Sequence, residues 1–163
     1  MTHTIVINLI GGPGCGKSTA AAELYAQLKK IGMSCHYIPE NKDELNYITN
    51  FGYDYNELMK YVGTVDVIIK EGSLLDHIVY NTQEHNQLFN SLVIQEYNRF
   101  RNLDFYINRC EFVKTKEFNE TECKHYDDLI KQTYAYVGVG YIEINIKTAV
   151  VEILDHIKSI GQS

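Results

Sequence analysis

Residues 11–19 read Gly-Gly-Pro-Gly-Cys-Gly-Lys-Ser-Thr and contain G-x-x-x-x-G-K-S without a mismatch. Four glycines within six residues give the backbone freedom to turn successive N–H groups inward, which makes a concave cradle for phosphate oxygens. A helix opening near Lys17 aims its positive end at the same point. Lys17 then supplies a point charge between β- and γ-phosphates, and the Ser18 hydroxyl supplies an oxygen for Mg²⁺. Gly12, Pro13, Gly14, Cys15, Gly16 and Thr19 complete the nucleotide-holding loop, with Cys15 as a small filler.

Such a cradle works only between a strand and a helix, and the flanking pattern provides both. Thr4 to Ile10 is a short continuous apolar run ending at glycine, as in a strand buried on both faces. From Lys17 to Ile31, Leu24, Leu28 and Ile31 recur at helical spacing, and Gly32 stands where a C-terminal cap belongs. Met33–Ile38, Val65–Ile69, Leu103–Ile107 and Tyr141–Ile144 read as further strands. Part of 42–62, Ser73–Tyr80, Asn86–Phe100 and a last segment with Val150, Ile153, Leu154 and Ile157 at helical spacing read as helices. In the 86–100 helix, Phe89, Leu92, Val93 and Phe100 share the apolar face. Asn119-Glu-Thr-Glu122 resembles a capping box that opens a helix to about Tyr134. Strand and helix alternate about five times. That predicts an α/β fold of three layers, α/β/α, around a five-stranded parallel sheet, with ligands at the carboxyl ends of the strands.

The chain has 163 residues, enough for one domain spanning 1–163 and too few for two. Its formal charge is −6, which argues against a surface built to grip nucleic acid or anionic lipid. That charge is unevenly spread. Glu40 to Asp76 holds eight acids and three bases, whereas Asn98 to Lys116 holds five bases and two acids. The basic stretch points to local neutralisation of phosphate. No segment reaches the length of a membrane span, and the N-terminus carries no basic leader, so a membrane partner is not expected. Four widely spaced cysteines, with no C-x-x-C pair, read as free thiols of a cytoplasmic protein.

On the 11–19 loop the chain resembles the P-loop NTPases. Within them it is similar to the compact nucleoside and nucleotide kinases, including the small P-loop kinase-like proteins common in bacteriophage genomes, for which the compartment is the host cytoplasm. Gly12-Pro13-Gly14 is similar to the loop of that branch, and an N-K-x-D motif of GTPases is absent. The resemblance implies ATP and Mg²⁺ as cofactors. It also implies that Glu40, directly after the second strand, accepts the proton of the attacking hydroxyl. Relatives place an aspartate at the end of the third strand, followed by serine or glycine and then proline. Here Glu71 stands at that position and Ser73 replaces the proline, so Glu71 is the candidate for serving Mg²⁺ or positioning the acceptor. Asp66, at the opposite end of that strand, reads as a strand-start residue. Asp76 and His77, one helical turn on, lie where the acceptor pocket would be.

The same resemblance implies a lid at 110–120 whose arginines clamp the transferring phosphate. Arg109 matches best, Lys114 and Lys116 lie in the lid, and Phe118 and Asn119 stand where relatives carry another arginine. Tyr47, Tyr53, Tyr55 and Tyr61 fall in the acceptor segment, where aromatic faces stack on bases. The leading expectation is γ-phosphoryl transfer from a nucleoside triphosphate donor to a nucleoside- or nucleotide-like acceptor. Two alternatives stay open: a hydroxyl carried in DNA as acceptor, and a nucleotide-binding module that regulates a partner.

Overall fold

The computed structural model describes residues 3–41, 46–81, 87–110 and 117–161. In chain order the elements are β1 (Ile5–Ile10), α1 (Lys17–Lys30), β2 (Cys35–Ile38), α2 (Tyr47–Tyr61), β3 (Val67–Glu71), α3 (Asp76–Tyr80), α4 (Gln87–Tyr97), β4 (Arg101–Asn108), α5 (Glu120–Val137), β5 (Ile142–Asn145) and α6 (Ala149–Gly161). The strands form one parallel sheet in the order β2-β3-β1-β4-β5. The three-layer arrangement expected from the alternation is therefore the one that forms. The chain leaves β1 for one side and later returns to β4 on its other side, so the loop after β1 sits at the point where strand order reverses.

β1 is apolar except at Asn8 because both of its faces are covered. Ile5, Ile7 and Leu9 pack with Ala20, Ala21, Leu24 and Leu28 of α1 and Val150, Ile153 and Ile157 of α6. Leu24 and Leu28 are fully buried, each contributing about 1.5–3 kcal/mol relative to exposure. Val6 and Ile10 face the other layer, where Phe51 and Leu58 of α2, Ile78 and Val79 of α3, Phe89 and Val93 of α4 and Ile130 and Tyr134 of α5 gather. Asn8 interrupts that second face. It lies in register between Lys70 on β3 and Asp104 on β4. Its side-chain amide donates to Asp104 Oδ1 at 2.6 Å, and Tyr97 OH donates to Asp104 Oδ2 at 2.7 Å. A buried polar row survives only when its members are bonded, and these are.

Boundaries shift for identifiable reasons. β2 begins at Cys35 rather than Met33, because Met33 N–H closes on Leu28 O (3.0 Å) and Gly32 N–H on Lys29 O (3.1 Å). These two bonds, with Gly32 at φ +82°, form a Schellman motif that ends α1. β3 runs to Glu71 instead of stopping at Ile69, since Lys70 and Glu71 continue the ladder opposite Asn8 and Leu9. β3 also begins at Val67 rather than Val65, which leaves Asp66 just before the strand instead of inside its start, its carboxylate accepting from Ser34 N (2.8 Å) and Ser34 Oγ (2.7 Å). α3 starts at Asp76 rather than Ser73, and α4 ends at Tyr97 rather than Phe100. There the Asn102 side chain donates to Tyr97 O at 2.7 Å and draws the chain into β4. On α4, Leu92 is 44% exposed, so the core stripe is Phe89, Val93 and Tyr97. The capping box at Asn119 forms in both directions. α5 then continues three residues beyond Tyr134, to Val137, because Gly138 at φ +76° supplies the stop. Among the described residues, no helix is long and apolar enough to cross a membrane.

Candidate active site

The loop between β1 and α1 is closely packed by its surroundings. Gly16 adopts φ +107° at the N-cap of α1, a left-handed conformation that side chains rarely tolerate, and a Cβ there would meet Ile146 Cδ1 at 2.7 Å. Gly12 is required for space. A Cβ there would collide with the Asp127 carboxylate and come within 2.9 Å of Cys123 O. Cys15 is buried in the core beneath the loop, where burial raises its thiol above the ordinary range. It fills space, as expected. Ser18 and Thr19 are exposed in the first turn of α1, beside an N-terminus without a side-chain cap or an acidic residue. Such an N-terminus favours an anion.

Lys17 is 8% exposed, and its ammonium donates to Gly11 O at 2.8 Å and Gly12 O at 3.3 Å. Glu40 Oε2 lies 3.9 Å from it. Burial alone would depress the lysine. The negative fields of Glu40 first, then Cys15, Asp76 and Glu71, outweigh burial and hold Lys17 above its usual value. The cation is thus permanently charged at neutral pH.

Ser18 Oγ donates to Glu71 Oε2 at 2.9 Å. The other oxygen of Glu71 accepts from Tyr37 OH, and burial together with this bond pushes the phenol up. Glu71 therefore meets Ser18 from the end of β3, and Tyr37 on β2 holds it there. Hydroxyl and carboxylate oxygens side by side are hard donors suited to Mg²⁺. Among the described residues, three His, Cys, Asp or Glu side chains never gather as an all-protein metal cage.

Arg109 directly follows β4 and lies beside the loop. Its Nε and Nη2 reach Asp127 Oδ2 at 3.0 Å and Oδ1 at 3.2 Å. Asp127 Oδ1 also accepts from Gly12 N at 2.7 Å. Lys114 and Lys116, with most of the expected lid, lie outside the described residues.

Three polar groups near this edge were missed in sequence. Asp127 shares a stripe with Cys123, Ile130 and Tyr134 of α5, and Asp54 shares one with Phe51 and Leu58 of α2. An acid on an otherwise apolar helical stripe is the signal that could have found both. Lys70, 2% exposed, pairs with Asp54 Oδ2 at 2.8 Å, and His77 Nε2 reaches the same oxygen at 3.0 Å. This network holds Asp54 below its usual range despite burial. His77 is thereby a packing residue, tied to α2. Asp76 accepts from Ser73 N at 2.9 Å, and burial lifts its carboxyl to about 6 against the opposing pull of Ser73, Lys70 and Lys17. Three of the four tyrosines of α2 pack rather than line an open face. Tyr47 meets Phe89 edge-on, Tyr55 lies against Phe51 and Tyr61 stacks on His36.

Solved structures share this fold. A NadR protein in complex with NAD and AMP-PNP superposes with a TM-score of 0.65 at 15% identity, over 88% of this chain and 44% of that one. Thymidylate kinase from Ehrlichia chaffeensis superposes with a TM-score of 0.64 at 13% identity, over 94% of this chain and 98% of that one. The chain has a P-loop NTPase, kinase-like fold. In sequence, a uridine kinase of Brevibacillus brevis is 24% identical over 127 residues, which cover 63% of this chain and 58% of that protein. The match thus spans less than two thirds of the relative. No family model matches the chain.

Proposed function

We propose that this P-loop protein is an ATP- and Mg²⁺-dependent kinase that transfers the γ-phosphoryl group to a nucleoside- or nucleotide-like acceptor. The observation that carries the reading is the 3.9 Å approach of Glu40 to Lys17 at the carboxyl edge of the sheet. A cation for phosphate and a carboxylate for a proton stand there within reach of one transferring group. Similarity to a uridine kinase, and the AMP-PNP in the NadR complex, support nucleotides on both sides of the reaction.

In this reading the acceptor oxygen forms a bond to the γ-phosphorus while the bond from that phosphorus to the β–γ bridging oxygen breaks. The electron pair leaves with ADP, and the hydroxyl proton passes to Glu40. Lys17 stabilises charge on the β- and γ-phosphates, and Arg109 on the group in transfer. Ser18 and Glu71 would hold Mg²⁺, which when bound neutralises phosphate charge. Gly12, Pro13, Gly14, Cys15, Gly16 and Thr19 shape the cradle.

ADP release measured across a panel of nucleosides and nucleotides tests the reading. Stimulation by at least one acceptor is expected; no stimulation by any would defeat it. A hydroxyl in DNA, the alternative acceptor, finds no support among the relatives.

A further inference from the structure

Arg109 and the phosphate loop belong to different parts of the chain, yet one carboxylate from a third part holds both. Asp127 Oδ1 accepts from Gly12 N at 2.7 Å and from Arg109 Nη2 at 3.2 Å, while Oδ2 accepts from Arg109 Nε at 3.0 Å. A Cβ on Gly12 would stand 3.1 Å from Arg109 Nη2, so the guanidinium rests directly on the loop. Both side chains are largely buried, at 10% exposed for Arg109 and 15% for Asp127.

The fork uses two of the three guanidinium nitrogens. Nη1 is buried and has no hydrogen-bond partner among the described residues. A charged donor left so is costly unless something else uses it.

We propose that Asp127 is a positioning residue that locks Gly12 and Arg109 into one unit, so that Arg109 Nη1 is presented to the γ-phosphoryl group of the bound nucleotide. This rests on the phosphoryl-transfer reading for its purpose, although the geometry itself does not depend on turnover. A bidentate fork fixes the guanidinium plane in a way that a point charge cannot. Asp127 is a distinctive choice because the chain spans 18 residues between the two partners, and α5 supplies the rigidity that a loop residue would lack.

The test compares ADP and AMP-PNP affinity by calorimetry in wild type, Asp127→Asn, Arg109→Lys and the double variant. Asparagine keeps a carbonyl oxygen for Gly12 N–H but loses the charge and the second acceptor of the fork. Asp127→Asn is expected to weaken AMP-PNP about fivefold or more while changing ADP less than about twofold. The double variant is expected to be little worse than Arg109→Lys alone, since the aspartate acts through the arginine. Equal weakening of both nucleotides, or full additivity in the double variant, would overturn the proposal and leave Asp127 as a loop prop. If Asp127→Asn does not fold, Arg109→Lys still decides: unchanged discrimination between AMP-PNP and ADP overturns the proposal. These affinities are read without an acceptor, so failure of the kinase reading shows up separately, as absent ADP release.

Discussion

Two cation–carboxylate pairs flank the phosphate loop, and they are built in opposite ways. Arg109 and Asp127 form a two-pronged bond at 3.0 and 3.2 Å, with both side chains largely buried and tied to Gly12 N. Lys17 and Glu40 meet loosely at 3.9 Å, with Glu40 36% exposed and Lys17 also bonded to loop carbonyls. The first pair is a fixture. In the second, the 3.9 Å separation is longer than a hydrogen bond and Glu40 is partly solvated, so Glu40 is held less tightly than Asp127 is. The site thus combines a two-pronged fork with a looser pair.

Lys17→Ala should break the looser pair most severely. Phosphoryl transfer is expected to fall about 10³-fold, with nucleotide binding lost in calorimetry. An unchanged affinity would show that the loop amides alone hold the nucleotide. Asp127→Ala should break the fixture, leaving Arg109 buried without its counter-charge. A stability loss of about 3 kcal/mol is expected in urea unfolding. A loss below about 1 kcal/mol would mean that the pair is solvated enough to be dispensable.

Glu40→Gln sharpens the contrast from the other direction. Transfer should drop about 10²-fold while stability stays within about 0.5 kcal/mol of wild type. Should activity be untouched while Lys17→Ala abolishes binding, the base assignment fails and a regulatory nucleotide-binding module becomes the better account.

Asp76, whose carboxylate field acts on Lys17, gives an effect confined to stability. Burial raises its folded carboxyl from 3.8 to about 6, so the folded state holds that proton more tightly than the unfolded chain does. Its contribution to stability is full below about pH 4 and is lost as pH rises through 6, on the order of 3 kcal/mol. Urea midpoints of wild type and Asp76→Asn from pH 4 to 7 check this. A stability difference between the two that does not vary with pH would contradict it.

The loop, the strand before it and the helix after it were legible because each is encoded locally. Apolar runs, a glycine cluster and capping residues act over a few neighbours, which is why Gly32 and Asn119 end and begin helices where expected. Lys70 was harder to place, since a charge at a strand end reads as a boundary. It continues β3 only because Asp54, sixteen positions earlier, neutralises it in the core. The α2 tyrosines misled in a similar way, because stacking on a base and packing on Phe89, Phe51 or His36 use the same aromatic faces.

The sequence by itself determined the phosphate cradle, the alternation that makes a parallel sheet, and the edge where the acids Glu40 and Glu71 must lie. Those features depend on residue type and short spacing. Tertiary structure decided which charges meet. It brought Glu71 to Ser18 across 53 positions and Asp127 to Gly12 across 115. Long-range pairs of this kind leave no local pattern. Their geometry exists only after the sheet order β2-β3-β1-β4-β5 has placed the strand ends side by side and α5 has packed behind the loop.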